Sequence, residues 1–416
     1  MKILYVGGIP TQYGGLQDGG VAIYCWKLAF KAKQEGHNVI ILGNTKNIGI
    51  GEGIQIYGYL LNKNIKILFF RFFCTLFLII KNIGNKHLNF LSFLEKIKLH
   101  FLASAFLLVY KQTKPDIIHL HSLSSFMSLA CTLVSVNTPV IVTHHGIGVA
   151  LQNITSEQDW PYEIPREKIK KIVEIVATKA KIIISPSRIA LSSLTNTIGV
   201  APEKQKLIYH PLSFDSLSEK ILNTKKQLYQ ELGISPNKKI LLFIALNHPL
   251  KIKGLDILID TFKDYSSLKD LYHIVAIVDQ NAYNILLKKK LSFLTLFPPL
   301  NHESLKKYYI NADLFVMPSK HEGMSLVYLE ALFFGLPIIG YKPLVEELNE
   351  VLKMTVGYGF DYHSETTKDL KNKIEAGLNL KLDITTIGHK LIQLFNWDNH
   401  FQQIEEIYKN LEGRDN

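Results

Sequence analysis

Short runs of aliphatic residues alternate with longer segments of helical periodicity along almost the whole chain of 416 residues. The first run is KILYVGG, and residues 20–37 then repeat apolar side chains at the spacing of a helix. Strands that are apolar without interruption are buried on both faces, because helices cover both sides of a parallel sheet. The sequence therefore predicts an α/β fold whose ligands bind at the carboxyl ends of the strands.

The alternation stops after KLIYHPLSFD and restarts with a new first strand, KKILLFIAL. At roughly 150 residues per domain, the chain is long enough for two domains. We predict an N-terminal domain of residues 1–212, a second domain of residues 213–390 and a closing segment of residues 391–416. The closing segment reads as an amphipathic helix. Its apolar side carries Phe401, Ile404, Ile407, Tyr408 and Leu411.

The positive charge of the chain is concentrated in one segment. The formal net charge is +11, and residues 45–115 contain ten basic and two acidic residues. The same segment holds ILFFRFFCTLFLII, whose apolar run of 14 residues (67–80) is shorter than the roughly 18 needed to span a bilayer. Within residues 59–110, basic and strongly apolar residues together favour contact with an anionic membrane. The alternative is a pair of core helices with solvated lysines. Nucleic acid is not expected as a partner, since the aromatic residues are not interleaved with the basic ones.

The three cysteines, Cys25, Cys74 and Cys131, are odd in number and lack the short spacings of metal ligands. This usage is typical of a reducing compartment. The first residues, MKILYVGGIP, lack the apolar core and cleavage pattern of a signal peptide. We therefore expect a cytoplasmic protein, peripheral at most on the cytoplasmic face of the inner membrane.

The segment HEGMSLVYLEALFFGLPIIG carries the strongest indication of chemistry. Glu322 follows a predicted strand, and Glu330 lies inside the helix predicted to start near Ser325. Glu330 has apolar neighbours, among which an unpaired carboxylate would be costly. Backbone N–H groups at the start of this helix form a candidate anion site. These groups belong to Gly323, Met324, Ser325 and Leu326.

Seven segments, in order, resemble those of the family 4 retaining glycosyltransferases of the GT-B fold. The two glutamates match the E-x7-E motif of that family. LKIKGLDILIDTF and SLKKYYINADLFVMPSKHEG match two further segments of the C-terminal half. GGVAIYCWKLAFKAKQEGHNVIIL, PDIIHLHS and PVIVTHHG match segments of the N-terminal half, and FNWDNHFQQIEEIY matches the closing helix.

The resemblance implies two Rossmann-like, doubly wound parallel-sheet domains that face a central cleft, with the closing helix packed on the first domain. It implies that Glu322 contacts hydroxyls of the donor sugar and that Glu330 contacts the nucleotide ribose. Lys253 would neutralise the donor diphosphate, whose negative charge grows as the glycosidic bond breaks. The family retains the anomeric configuration by a same-face substitution and usually needs no metal or other cofactor.

Several positions depart from the family pattern. The family usually places an arginine before the lysine, and here only His248 and Lys251 are basic in that region. Neither side chain can copy the bidentate grip of arginine on phosphate. The strand IVAIVDQ lacks the usual glycines, and the loop around Leu300 lacks the glycine expected to approach the base.

In the N-terminal half, a glycine-rich loop and several histidines follow predicted strands. Gly15, Gly19 and Gly20 could bring backbone N–H groups near a phosphate, or could simply form a flexible loop. The resemblance implies that His121 faces the transferring sugar, and His119 reads as a satisfied core residue. Acceptor-side candidates are His144, His145 and Arg188. A zinc site on the His-x-His pair competes, but no third ligand has supporting spacing.

Taken together, these residues predict an enzyme that moves a sugar from a nucleotide-sugar donor to a glycan or lipid-linked acceptor. Building a cell-surface polysaccharide, lipopolysaccharide or glycolipid at the cytoplasmic face of the inner membrane would fit the basic, apolar stretch. Two alternatives stay open, a catalytically inactive GT-B partner subunit and a sugar-nucleotide 2-epimerase.

Overall fold

The computed structural model describes residues 1–16, 19–45, 49–59, 65–157, 160–213, 225–246, 250–362 and 366–412. The chain divides into two compact units. Unit 1 comprises residues 1–208 and 400–416, and unit 2 comprises residues 209–399. The first boundary therefore falls four residues before the predicted one at 212/213. The second falls at 399/400 rather than at 390/391.

Unit 1 alternates strands and helices in the order that the sequence pattern predicts. Its strands are β1 (Lys2–Gly7), β2 (Asn38–Gly43), β3 (Gly49–Gly51), β4 (Ile54–Gly58), β5 (Ile117–Leu120), β6 (Val140–Thr143), β7 (Ile182–Ser185) and β8 (Gln205–Leu207). Its helices before residue 209 are α1 (Gly20–Gln34), α2 (Ile65–Lys81), α3 (Phe93–Thr113), α4 (Phe126–Thr132), α5 (Ile147–Asn153), α6 (Arg166–Lys179) and α7 (Arg188–Ile198).

Among the described residues, these strands form an eight-stranded sheet in the order β3-β4-β2-β1-β5-β6-β7-β8. Every neighbouring pair is parallel except β3 and β4, which form an antiparallel hairpin at the edge. The predicted parallel sheet is therefore confirmed, and this hairpin is added at one edge of it. The hairpin turns at Glu52 and Gly53, both of which have positive φ, and such turns match the twist of the flanking strands.

Unit 2 repeats the same architecture with fewer strands. Its strands are β9 (Lys239–Ala245), β10 (Tyr272–Val278), β11 (Leu294–Phe297), β12 (Leu314–Met317), β13 (Ile338–Tyr341) and β14 (Gly357–Phe360). Its helices are α8 (Lys225–Leu232), α9 (Leu250–Lys253), α10 (Leu255–Asp264), α11 (Leu268–Leu271), α12 (Gln280–Leu287), α13 (His302–Asn311), α14 (Leu326–Phe333), α15 (Lys342–Leu352), α16 (Thr366–Asn379) and α17 (Ile384–Leu394). Within the described part, the sheet is parallel in the order β11-β10-β9-β12-β13-β14.

The last helix, α18 (Trp397–Glu412), contains the second boundary and contributes its C-terminal part to unit 1. Phe401, Ile404 and Tyr408 are buried as their spacing predicts. Ile407 and Leu411 are only half-buried, so the buried stripe is narrower than the apolar stripe of the sequence. The hydroxyl of Tyr408 donates to the hydroxyl of Tyr5 and forms a second hydrogen bond with the ring of His119. Tyr5 and His119 lie on the central strands β1 and β5. The helix therefore completes the core of unit 1.

The apolar stretch around residue 70 is not a core helix. In α2 the phenylalanines at 69, 72, 73 and 77 are about 60% exposed, whereas α3 buries Leu99, Phe106 and Val109. The alternative of two core helices is therefore right for α3 and wrong for α2. None of the helices in the described ranges has the length and apolarity needed to cross a bilayer.

We expect Ile404→Ala to lower the free energy of unfolding of unit 1 by about 2–4 kcal/mol, because the fully buried side chain would leave a cavity. Gln402→Ala on the exposed side of α18 is the matched control, with an expected change within about 0.5 kcal/mol. Urea denaturation of both variants measures the difference. Equal stabilities would show that α18 does not belong to the cooperative core.

Candidate active site

The order of strands in unit 2 fixes where a ligand site can form. The chain runs outward from β9 through β10 to β11 and then returns to the other side of β9 with β12. Helices leave the carboxyl ends of β9 and β12 in opposite directions, which opens a crevice between them. Lys253 follows β9, and Glu322 follows β12. The fold therefore brings these two predicted site residues to one point.

Lys253 and Glu322 form a buried ion pair at this point. The ammonium Nζ of Lys253 donates to Oε1 of Glu322 at 2.7 Å, and the hydroxyl of Ser319 donates to the same oxygen at 2.7 Å. Both charged residues are less than 10% exposed. Burial acts to raise the pKa of Glu322, but the charge and hydrogen bond of Lys253, with the hydrogen bond of Ser319, lower that pKa overall. Glu322 is therefore a carboxylate at neutral pH.

Gly254 lets the two loops approach this closely. Its φ of +81° is unfavourable for other residues, and an added Cβ would lie 2.2 Å from the carbonyl oxygen of Pro318. The backbone N–H of Lys320 also donates to the carbonyl of Ile252 at 2.8 Å. The glycine of the KIKG segment is thus required by the contact that positions Lys253.

Glu330 lies on α14 and is 8% exposed. The hydroxyl of Tyr309, on α13, donates to Oε2 of Glu330 at 2.7 Å. Burial raises the pKa of Tyr309 well above its usual range, and the neighbouring Glu330 carboxylate raises it further. Tyr309 therefore remains a neutral donor that holds one carboxylate oxygen of Glu330.

The helix that carries Glu330 begins where the sequence predicts. Ser325 is the N-cap of α14, and Leu326 is its first residue. Gly323 and Met324 lie in the loop between Glu322 and this cap. The carbonyl of Ser325 accepts the N–H of Tyr328 at 3.1 Å, which starts the helical ladder. The backbone N–H groups before that of Tyr328 have no acceptor within the helix, and such groups can bind an anion.

The remaining donor-side candidates of unit 2 are Lys251, Leu300 and His248. Lys251 lies on α9 and is exposed. Leu300 is half-buried in the loop between β11 and α13. His248 lies outside the described residues. A role for His248 and Lys251 in donor binding stays a prediction.

In unit 1 the equivalent point of strand reversal lies between β1 and β5. His121 directly follows β5 and is 2% exposed. Its ring stacks on that of His119, with centroids 4.5 Å apart, and lies 6.2 Å from that of His145. A Cβ on Gly7, at the end of β1, would lie 3.0 Å from the Cβ of His121. The predicted sugar-facing histidine thus lies at the switch point of unit 1.

His119 is the satisfied core residue that the sequence predicts. Its Nδ1 lies 2.6 Å from the hydroxyl of Tyr408, and its Nε2 lies 2.7 Å from that of Thr143. His144, directly after β6, is also fully buried, and its place on the acceptor side stays a prediction. His145 is half-buried beside the edge of the Tyr24 ring.

The other candidates of unit 1 lie in a turn or at the start of a helix. Gly15 packs against Ile9, whose carbonyl oxygen would lie 1.7 Å from an added Cβ, so this turn requires glycine. Gly19 is the N-cap of α1, and Gly20 is its first residue. Ser187 caps α7, and Arg188 begins that helix with an exposed side chain. Within the described residues, no three His, Cys, Asp or Glu side chains cluster as a metal site would require.

Sequence reasoning missed Ser319 and Tyr309, which bond to the two candidate glutamates. Both lie inside SLKKYYINADLFVMPSKHEG, a segment that resembles the family pattern. A buried carboxylate at position 330 needs a hydrogen-bond donor, and the tyrosines of that segment are candidate donors. Spacing along the chain could not identify which tyrosine reaches Glu330.

We expect unit 1 to lose stability as the pH falls below about 6.5. Among its described residues, burial lowers the pKa of His119, His144 and His145 to about 3. In the unfolded chain these histidines bind a proton near pH 6.5, whereas in the folded unit they stay neutral until about pH 3. The free energy of unfolding is therefore highest above pH 6.5. Between pH 6.5 and pH 3, each histidine lowers it by roughly 1 kcal/mol per pH unit.

Hydrogen exchange at pH 7 and pH 5, corrected for intrinsic rates, measures this loss separately in the two units. In unit 2 the pKa of His273 is lowered to about 4 by burial, so a smaller loss is expected there. An equal loss in both units would contradict the prediction.

Solved structures show the same architecture over the whole chain. Sucrose-phosphate synthase from Thermosynechococcus elongatus superposes with a TM-score of 0.73 at 15% identity, with 100% of each chain covered. WaaG, a glycosyltransferase involved in lipopolysaccharide biosynthesis, gives 0.64 at 12% identity over 98% of this chain and 99% of its own. HepE from Anabaena, in complex with UDP-glucose, gives 0.64 at 14% identity over 99% of this chain and 100% of its own. At such identities the likeness establishes the fold, which is GT-B as predicted.

Sequence comparison identifies the family. A glycogen synthase of Streptococcus uberis is 28% identical over 239 residues, which cover 53% of this chain and 49% of that protein. The chain thus spans about half the length of the curated relatives it matches first. The profile of Glycosyltransferase Family 4 matches residues 18–215, and that of Glycosyl transferases group 1 matches residues 224–385. The chain therefore belongs to the GT-B glycosyltransferases, with a family 4 domain in its N-terminal half and a group 1 domain in its C-terminal half.

Proposed function

We propose that this protein transfers a sugar from a nucleotide-sugar donor to an acceptor glycan or lipid-linked sugar. The observation that carries the proposal is the convergence of Lys253, Glu322 and the start of α14 at the switch point of unit 2. A nucleotide sugar has a diphosphate beside a polyhydroxylated ring. A fixed cation, helix N–H groups and a carboxylate acceptor are complementary to those two parts.

Lys253 can serve Glu322 and a diphosphate together. An ammonium group has three N–H donors, of which one points to Oε1 of Glu322. The others are available to phosphate oxygens, whose negative charge increases as the bond from the anomeric carbon to the leaving oxygen breaks. Because the ion pair fixes Nζ beforehand, its charge stabilises the transition state without reorganisation.

Glu322 and Glu330 would then bind different hydroxyl groups of the donor. Glu322 is ionised and can accept hydrogen bonds from the transferring sugar. Glu330, held by Tyr309, can accept hydrogen bonds from the ribose. The resemblance of this segment to the E-x7-E motif of the family supports these roles.

We further propose that transfer retains the anomeric configuration and needs no metal. The acceptor hydroxyl attacks the anomeric carbon on the same face from which the diphosphate leaves. Its proton passes to the leaving phosphate oxygen. The family resemblance supports the stereochemistry. Charge neutralisation by Lys253 and α14 supports independence from a metal.

The acceptor class that we propose belongs to a surface polysaccharide, lipopolysaccharide or glycolipid made at the cytoplasmic face of the inner membrane. The likeness to WaaG supports this class. His121, buried at the switch point of unit 1, is the candidate contact to the transferring sugar, with half-buried His145 beside it.

The first experiment is a thermal-shift screen with UDP, GDP, ADP, CMP and dTDP, followed by hydrolysis of the sugar nucleotide of the best binder. We expect Glu330→Ala to weaken nucleotide binding about 10- to 100-fold, the usual cost of losing a hydrogen bond to a charged group. Asp264→Asn, an exposed carboxylate of the same unit, is the matched control and should bind as wild type.

A chelator should leave the turnover unchanged. A protein that binds none of the five nucleotides would contradict the proposal and favour a noncatalytic partner subunit. Release of an epimerised nucleotide sugar would instead favour the 2-epimerase.

We expect Tyr309→Phe to raise the KM for the nucleotide sugar about tenfold with a smaller effect on kcat, because Tyr309 positions Glu330 and does not touch the reacting bond. Tyr308→Phe is the control, since Tyr308 is also buried and makes its ring contacts with Phe297 and Lys307. Steady-state kinetics of both variants measure KM and kcat separately. A loss confined to kcat would contradict the positioning role.

A further inference from the structure

Helix α2 is inverted in polarity. A helix at the surface of a protein normally turns its apolar side inward and its polar side to solvent. In α2 the inward positions are Arg71, Thr75 and Leu78, all at most 9% exposed. The outward side carries large apolar residues, with exposed fractions between 38% and 62%. They are Leu68, Phe69, Phe70, Phe72, Phe73, Leu76, Phe77 and Ile80.

The buried arginine fixes this orientation. Its guanidinium group donates to the carbonyl oxygens of Tyr59 and Phe101 at 3.1 and 3.0 Å. It also lies 3.8 Å from the centroid of the Phe101 ring. Burial lowers the pKa of Arg71 to about 10, so the group remains charged at neutral pH. Rolling the helix to bury its phenylalanines would break these contacts, and the apolar side therefore stays outward.

The apolar surface continues beyond α2. Ile83, in the connection to α3, is 74% exposed, and Phe93 and Leu94, in the first turn of α3, are 76% and 75% exposed. A capping box between Ser92 and Glu95 holds this first turn. Lys168 pairs with Glu95 at 2.7 Å and neutralises it. We call the outward residues of α2 together with Ile83, Phe93 and Leu94 the α2–α3 apolar surface.

Lysines border this surface. Lys81 ends α2, Lys86 lies in the connection, and Lys98 lies on α3, all with exposed side chains. Residues 45–115 as a whole contain ten basic and two acidic residues. A contiguous apolar surface of this kind marks an interaction site, and a basic border complements an anionic partner.

We propose that the α2–α3 apolar surface docks unit 1 on an anionic lipid bilayer. The helix lies in the plane of the interface, with its phenylalanines among the acyl chains and the bordering lysines at the phosphate groups. A second copy of the chain would place these lysines against one another, which the charge disfavours. Such docking deepens the proposed function by naming the surface that meets the membrane, and it rests on that function only for the identity of the acceptor.

The test is flotation of the full chain with vesicles of phosphatidylcholine alone or of phosphatidylcholine with phosphatidylglycerol. We expect binding to the anionic vesicles, and at least about tenfold weaker binding for the triple variant Phe69→Gln, Phe73→Gln, Phe77→Gln. The matched control is Leu271→Gln, Ile285→Gln, Leu287→Gln. Those side chains of unit 2 are 52% to 62% exposed, and their loss should leave binding unchanged.

A second pair of variants separates charge from apolarity. Lys81→Glu with Lys86→Glu should weaken binding to anionic vesicles about tenfold. Lys288→Glu with Lys289→Glu, which changes the net charge equally at exposed lysines of unit 2, should not. Equal effects of the two pairs, or equal binding to both kinds of vesicle, would overturn the anionic specificity.

Wild-type binding by the phenylalanine variant would overturn the proposal. Failure of the wild type to float with the vesicles would also overturn the proposal. A wild-type dimer that the phenylalanine variant abolishes, together with such a failure, would assign the apolar surface to a second copy of the chain instead. The vesicles contain neither donor nor acceptor, so failure here would leave the nucleotide-binding predictions standing. Conversely, a chain that floats but binds no nucleotide would contradict only the proposed transfer.

Discussion

The buried ion pair of Lys253 and Glu322 is the interaction on which the candidate active site depends. Two charges removed from water are stable only when their geometry is good and further hydrogen bonds satisfy them. Ser319 supplies one such bond, and Gly254 allows the loops after β9 and β12 to come close enough. Removing either charge would leave the other buried without its partner. The pair therefore holds the cation in place before any substrate binds, which is the preorganisation that the proposed transfer from a nucleotide sugar requires.

The two units place their candidate residues by the same topological rule. In each sheet the chain extends to one side of the first strand and then returns to the other. The carboxyl ends of the two strands that flank this reversal carry His121 in unit 1 and Lys253 with Glu322 in unit 2. Unit 1 surrounds its histidine with aromatic rings and unit 2 supplies charges, so the same fold presents two different kinds of chemistry.

Helix α2 shows how a sequence can satisfy a fold and still leave an apolar surface uncovered. Two of its three inward residues, Arg71 and Thr75, are polar, and Arg71 donates hydrogen bonds to backbone carbonyls. Its phenylalanines contribute nothing to the core of unit 1, where α3 supplies the buried residues. An exposed apolar side is costly in water, and it is retained where a partner covers it.

The sequence by itself determined the fold class, the family and the start of α14, because uninterrupted apolar strands and the spacing of the two glutamates are local properties of the chain. It did not determine the β3–β4 hairpin, whose strands are too short for a periodic signal. Only the tertiary structure decided which residues pair when they lie far apart in the sequence: Lys253 with Glu322, Tyr309 with Glu330, and His119 with Tyr408. It also decided that the apolar side of α2 faces outward while that of α3 faces inward, because burial depends on which neighbours a helix meets rather than on its own composition.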